Sequence, residues 1–567
     1  MQVSSCTVDE IQPAASVVWS DGTVAASRSE QVSSRDRPMN HLGCEISIDA
    51  LRQFLTALSR KGVVLSARND RLHYKAATGT LTAEDLANLR TFKTAILATL
   101  ADAPVTSSGR SIFAPREARS RAPLSIQQRL FWDFLQRESV WNVMDTFALR
   151  LSGTVNVEAF RRSFEELVHR HGPLRTRIVV VDGAPLQIID EPREWNLETV
   201  PVPGGSDAER EQNARCLVEQ ISVRKSDLAA GPLFDAKILR LTERDHVLVW
   251  AVHHILSDGF SINLMFREFW QLYARICHSG TVPANRLPAQ YVDYAHWQAE
   301  TNHVWMQKNQ AYWDARLAGA EPIRWPVAET PQDVALASDE SVEIQFGADL
   351  TAELSDFCRG RQTVPSIVLL AVYAALVSRW CQQDDFIVPF VMTGRDRSEH
   401  AGMVGYFAYE LYLRITLTSR ETYASFLTRI IDEVNSALSH QDFGRMVSRA
   451  PELLARSLFM WFPWTMEDIF GMPTIEELTG LNMEVKPFTF TVAQRSPMYD
   501  IATLFSQSPA GITGMVGYRA NRFSGNSIRK FVEALRPTTE DFIRRANDPM
   551  NVVLRTAGVP SSGMSVT

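Results

Sequence analysis

The 567-residue chain is poor in cysteine. Its six (Cys6, Cys44, Cys216, Cys277, Cys358 and Cys381) are scattered and form no Cys-x-x-Cys pair. That spacing speaks against a disulfide scaffold or a thiolate metal site and fits reduced thiols in a cytoplasmic protein. No uncharged apolar run is long enough to span a bilayer, so no membrane partner is expected. The first residues lack the basic start and apolar core of a secretory leader. Positive charge is also scarce, with 58 Lys and Arg against 65 Asp and Glu and a net charge of −7. This balance argues against a general nucleic-acid surface. What remains is ordinary for a globular protein, 45% hydrophobic and 22% charged, and long enough for two to four domains with sizeable cores.

One stretch organises the rest: Ala251-Val-His-His-Ile-Leu-Ser-Asp-Gly-Phe-Ser261. The apolar run Val247–Val252 before it reads as a buried strand. Ile262–Tyr273 after it reads as a helix, with Ser261 as its expected N-cap. Consecutive strand side chains point to opposite faces, so His253 and His254 cannot both address one substrate. One is expected to do chemistry while the other is held in the wall. Three readings are open at this point: structural histidines, zinc ligands, or a general base. Adjacent strand histidines are poor co-ligands and no His-x-His spacing supports a metal, so none is expected. A neutral imidazole takes a proton readily from an attacking amine or hydroxyl near neutral pH. Gly259 would let the backbone approach a ligand.

Residues 1–45 show no periodicity and read as a disordered tail. Met39 is a candidate true start, because organised sequence begins just after it. Residues 46–101 read as a compact unit. Ile48, Leu51, Phe54, Leu55 and Leu58 form a helical stripe. Val63–Arg68 and Arg71–Ala76 flank Asn69-Asp70 as a β-hairpin. Thr82-Ala-Glu-Asp85 opens a last helix, in the manner of a capping box. Arg68, Arg71, His73 and Lys75 crowd the polar positions of the hairpin. They are either a solvated face or a binding edge for another strand. Residues 102–121 are Pro-, Ser- and Arg-rich and read as a linker. From there strand, helix and strand patterns alternate as in an α/β layer; Val157–Val168, for example, is an amphipathic helix between two strands.

The His-His-x-x-x-Asp-Gly stretch resembles the signature of the condensation-domain superfamily of nonribosomal peptide synthetases. Further matches follow in chain order: Pro123–Trp132, Trp141-Asn142, Leu151–Val157, His169–Arg177, Tyr291–Gln298, Tyr312-Trp313, Gly394-Arg395, Met403–Phe407, Leu458-Phe459, Met498–Ile501 and Gly511–Tyr518. The small unit resembles the tubulysin-type β-hairpin docking domain through Lys61–Leu65, Arg71–Ala76 and Gly79–Thr82.

The resemblance implies an α/β (α+β) fold: two chloramphenicol-acetyltransferase-like lobes in a V-shaped pseudodimer, residues 122–296 and 297–550, followed by a tail, 551–567. It implies a catalytic set of His254, His253, Asp258 and Gly259. His254 would orient or deprotonate the nucleophile, and backbone groups around Gly259 would hold the oxyanion. Arg395 would pair with Asp258 across the lobes, making Asp258 structural. Tyr409, Ser257 and Ser261 would line the substrate tunnel. Ala408-Tyr409-Glu410 stands where the family has Val-Asn-Thr, and Gly444-Arg445 replaces the usual closing motif.

Adenylation signatures are absent, as is a carrier serine motif after residue 520. The expectation is therefore a free-standing enzyme with no bound cofactor. Its acyl donor would arrive on the phosphopantetheine of a carrier protein from an upstream subunit, whose acidic C-terminal tail would bind the hairpin. The acceptor would be an amine or hydroxyl, free or carrier-bound, used to release a finished chain as amide or ester. The late glutamate motif of epimerisation domains finds no good match. Two alternatives remain: an acyl-CoA-dependent O-acyltransferase, and an inactive domain that only recruits carriers.

Overall fold

The computed structural model describes residues 3–7, 64–68, 71–77, 85, 88 and 89. It also describes, with short gaps, 120–326, 339–440, 457–462 and 473–550. The chain divides into two units, residues 1–110 with 355–365, and the remainder.

In the smaller unit β2 (Val64–Arg68) and β3 (Arg71–Ala77) form the expected antiparallel hairpin, with Arg68 opposite Arg71 and Val64 opposite Lys75. The expectation of an unstructured N-terminal tail needs correction at Val3–Thr7. This segment is a strand, β1, antiparallel to β3 from Val3↔Ala77 to Thr7↔His73. The sheet order is β1-β3-β2. A lone hairpin leaves two rows of unpaired backbone groups, and β1 satisfies the row on β3. The helices expected on either side of the hairpin lie outside the described residues, except that Asp85, Asn88 and Leu89 are helical. The tail 551–567 lies outside them as well.

The larger unit has β4 (Arg121–Pro123) as its first described strand, so residue 121, expected as linker, is already strand. It then carries α1 (Ile126–Glu138), β5 (Met144–Gly153), α2 (Val157–Arg170), β6 (Thr176–Val181), β7 (Ala184–Ile189), β8 (Glu198–Pro201), α3 (Asp207–Ser222), β9 (Phe234–Thr242) and β10 (Asp245–His253). Next come α4 (Gly259–Ser279), α5 (Tyr291–Leu317), β11 (Asp339–Phe346), α6 (Gly347–Arg361, counted with the smaller unit from Ser355 on), α7 (Pro365–Cys381), β12 (Asp385–Met392), β13 (Tyr409–Thr416) and α8 (Tyr423–Ser439). The last elements are β14 (Ser457–Phe462), β15 (Met483–Pro487), β16 (Ile501–Ser508), β17 (Gly511–Arg519) and α9 (Gly525–Arg544). Two sheets dominate, β15-β5-β10-β9-β8 and β11-β17-β16-β14-β12-β13, with a small sheet β4-β7-β6 beside them. Among the described residues no single helix is long and apolar enough to cross a membrane.

The first sheet is built around β10, which lies between β5 and β9. Its apolar run has no polar face because both faces are covered. Leu248, Trp250 and Val252 pack into a core with Phe160 and Phe164 of α2 and Phe266 and Phe269 of α4. Val247 and Val249 pack on the other side with Ala214 and Val218 of α3. The alternation assigns successive residues to the two cores. Helix α2 opens at Asn156, whose side chain accepts from Ala159 N at 3.0 Å. Helix α4 stops at Gly280, whose φ of 66° closes it in the left-handed region. In the second sheet's half, α7 is apolar all round, and every residue from Ser366 to Ser378 is buried.

The boundary expected between lobes at 296/297 does not hold as a cut. Helix α5 runs through it without a break. Strand β15, expected with the second lobe, pairs antiparallel with β5 of the first sheet from Met483↔Gly153 to Pro487↔Leu149. It closes the edge that β5 would otherwise leave open.

Candidate active site

Two flanking strands hold the paired histidines. His253 N donates to Leu233 O at 2.8 Å on the β9 side, and His254 N donates to Val143 O at 2.9 Å on the β5 side. The strand ends there, His254–Leu256 form a single 3₁₀ turn, and α4 begins at Gly259. The two rings part company as strand geometry requires. His253 is fully buried. Its Nδ1 accepts from Ile255 N at 3.2 Å, so Nε2 carries the ring proton, buried and without a hydrogen-bond partner. Burial, reinforced by the neighbouring His254, pushes its pKa down to about 3. His253 is a neutral wall residue.

His254 is the accessible ring, with a quarter of its side chain exposed. Its Nδ1 lies 2.6 Å from Oδ2 of Asp145, a residue of β5. In neutral imidazole the nitrogen facing a carboxylate carries the proton, which makes Nε2 the basic atom. Phe131 packs edge-on against both rings, at 6.3 Å from His253 and 5.5 Å from His254, and Tyr406 lies 5.2 Å from His254. The segment Pro123–Trp132 is thus part of the site. Its Gln128 Nε2 donates to Ile255 O at 3.0 Å, and its Ser125 Oγ lies 2.7 Å from the hydroxyl of Tyr291. That hydroxyl in turn donates to Tyr406 O at 2.6 Å.

Asp258, rather than the expected Ser261, caps α4: its Oδ1 accepts from Ser261 N at 2.8 Å. The helix therefore starts before Ile262, because the carboxylate one residue ahead of Gly259 takes the otherwise unpaired N–H of Ser261 and its backbone carbonyl takes that of Ile262. Asp258 Oδ2 accepts from Phe407 N at 3.0 Å and Ala408 N at 3.2 Å. Arg395 Nη2 donates to Oδ1 at 3.1 Å. Arg395 also donates to His400 O, Met403 O and Ser261 Oγ, and its guanidinium sits 4.3 Å from the ring centres of both Phe260 and Phe407. Burial lowers the guanidinium's pKa, and the Asp258 charge offsets part of that fall. Every oxygen of Asp258 is committed to holding the β12–β13 connection on the α4 N-terminus.

The expected tunnel residues are placed differently. Ser257 and Ser261 are fully buried. Ser261 Oγ donates to Gly405 O at 2.8 Å and accepts from Gly405 N at 3.0 Å, so it belongs to the same lock as Asp258. Tyr409 is buried too. It leaves β13 on the face opposite Glu410 and Tyr412. Glu410, which accepts from the Tyr499 hydroxyl at 2.5 Å, is the residue on the Tyr406 side. The Tyr406 hydroxyl is pushed well up by burial and then by the charges of Glu410, Asp258 and Asp145. Gly259 makes its close approach to Phe462, since a Cβ there would lie 3.2 Å from Phe462 Cε1. In the smaller unit, Arg71, His73 and Lys75 fall at alternate positions of β3, and Arg68 ends β2. No group of three His, Cys, Asp or Glu able to hold a metal occurs among the described residues.

Asp145 is the residue beside His254 that the sequence reading missed. The available signal was a carboxylate inside the apolar run Val143-Met-Asp-Thr-Phe147. Only the register of β5 against β10, with Asp145 opposite Val252, brings it beside His254.

Comparison with known proteins points one way. Residues 118–556 match the family model described as "Condensation domain", and residues 51–102 match "TubC N-terminal docking domain". The chain is 30% identical over 462 residues to the isonitrile lipopeptide synthase of Mycobacterium tuberculosis, covering 78% of this chain and 18% of that one. It is 28% identical over 440 residues to a linear gramicidin synthase protein of Brevibacillus parabrevis, covering 76% of this chain and 8% of that one. It thus spans less than a fifth of these relatives' length. Among solved structures, the EpoB cyclization-docking bidomain from Sorangium cellulosum superposes with a TM-score of 0.65 at 21% identity, over 87% of this chain and 98% of that one. The X-domain from teicoplanin biosynthesis gives 0.66 at 21%, over 78% and 99%.

Proposed function

This chain belongs to the condensation-domain family, and we propose that it moves an acyl group from a carrier-protein thioester to an amine or hydroxyl acceptor as the releasing step of an assembly line. The observation that carries this reading is the state of His254. It is part-exposed at the end of β10, its Nδ1 is engaged by Asp145, and its Nε2 is the basic atom. A base in that position takes the acceptor's proton as the acceptor attacks the thioester carbonyl. The N-terminal end of α4 at Gly259, ahead of the N–H of Ser261 that Asp258 takes, is suited to the oxyanion. The thioester would be presented on the phosphopantetheine of a separate carrier, in the cytoplasm.

The hairpin supports a docking role. With β1 on β3, the sheet keeps two outer edges among the described strands, one on β1 and one on β2, and the β2 edge is the one that ends in Arg68. An acidic tail from an upstream subunit adds there as a further strand, near Arg68, Arg71, His73 and Lys75.

The test is mass spectrometry of an acyl-loaded carrier protein incubated with the enzyme and a panel of amines and alcohols. The expected result is an acyl–acceptor product that disappears with His254→Ala. Tight carrier binding with no product from any acceptor would overturn catalysis in favour of recruitment.

A further inference from the structure

Asp145 fixes which nitrogen of His254 carries the proton. The pair spans 109 residues, and Nδ1 to Oδ2 is 2.6 Å, a close hydrogen bond to a carboxylate. Asp145 is itself largely withdrawn from solvent, with 15% of its side chain exposed. The imidazole is clamped from its other sides by Phe131 and Tyr406. A carboxylate so placed also stabilises the imidazolium that forms when Nε2 takes a proton.

That stabilisation matters unequally for the two acceptor types. A neutral amine carries a reactive lone pair and can lose its proton after attack. An alcohol is a poor nucleophile until its proton leaves, so transfer to the base must accompany C–O bond formation. We propose that Asp145 is the positioning residue of a His254–Asp145 dyad, and that the dyad equips this site for a hydroxyl acceptor and an ester product. The proposal rests on the acyl-transfer reading above.

The step balances without any co-reactant. The acceptor O–H gives its proton to His254 Nε2 while its oxygen bonds to the thioester carbon. The carbonyl oxygen becomes the oxyanion. On its collapse the C–S bond breaks, and the departing pantetheine sulfur takes the proton back from Nε2.

The test compares wild type with Asp145→Asn and Asp145→Glu, using one acyl-loaded carrier and a matched alcohol and amine acceptor. Ester formation is expected to fall about 100-fold or more in Asp145→Asn and to recover in part in Asp145→Glu, while amide formation falls by much less. The lost ester rate should appear in kcat with KM little changed. In parallel, 15N NMR of the histidine rings reads the tautomer without turnover. His254 is expected as the Nδ1–H form in wild type and shifted toward Nε2–H in Asp145→Asn, whose amide can donate to Nδ1. Equal losses of ester and amide with an unchanged tautomer would overturn the dyad. A wild-type enzyme silent with both acceptors, but showing the expected tautomer change, would overturn the acyl-transfer reading and leave the positioning role of Asp145 standing.

Discussion

Arg395 and Asp258 lie 137 residues apart in sequence and meet as a buried ion pair, their side chains 4% and 3% exposed. The carboxylate bridges three segments: its own helix start at Ser261 N, the guanidinium, and the backbone of Phe407 and Ala408. Tyr406, which flanks His254, is the residue just before that backbone. The pair therefore sets where one wall of the site stands, without facing the reaction itself.

Asp258→Ala should destabilise the fold by about 3–5 kcal/mol, because it strands a buried guanidinium and removes the cap of α4. Chemical denaturation of the purified variant measures this. Arg395→Lys should not rescue the site, because a lysine cannot make the fork of donors or stack between Phe260 and Phe407. An Asp258→Ala protein as stable as wild type yet without turnover would make Asp258 a participant in the chemistry instead.

His253 predicts an acid weakness. In the unfolded chain the ring takes a proton near its ordinary 6.5, but in the folded chain only near 3. Between those values the unfolded state binds more protons, so stability falls as pH falls, by at most about 1.4 kcal/mol per pH unit from this group. Urea unfolding at pH 7, 6, 5 and 4 should show a slope shallower by about one proton in His253→Asn, whose side chain can still accept from Ile255 N. Identical slopes would mean that His253 is not held neutral.

Gly405 tolerates no side chain. A Cβ there would stand 2.0 Å from Tyr291 Cδ2, inside a wall where Tyr291 is fully buried and ties Ser125 to Tyr406. Gly405→Ala should cost about 1–3 kcal/mol or more through overpacking. It should also lower turnover by displacing Tyr406 from His254. A variant with wild-type melting temperature and rate would show that the turn relaxes freely.

Charge reversal at Arg71 and Lys75 should weaken binding of an acidic upstream tail peptide by 10-fold or more at low salt, with the loss shrinking as salt rises, on the order of the screening expected for exposed charges. Isothermal calorimetry at two ionic strengths reads both. Unchanged affinity would move the docking surface off this face of the hairpin.

The sequence by itself determined the local design. The β10 run, the turn through Ser-Asp-Gly and the amphipathic start of α4 are each written in consecutive residues, because strand and helix periodicities are local properties. The same local pattern put His253 and His254 on opposite faces. Tertiary structure decided the partnerships. Asp145 reaches His254 only through cross-strand register, Arg395 reaches Asp258 only when β12 and α4 pack, and Met483–Pro487 joins the first sheet although it lies beyond most of the second sheet's strands in sequence. Val3–Thr7 likewise became a strand because the β3 edge offers unpaired backbone groups, not because its own residues demand it. Pairing across long separations depends on which surfaces meet when the cores close, and a reading made along the chain does not contain that information.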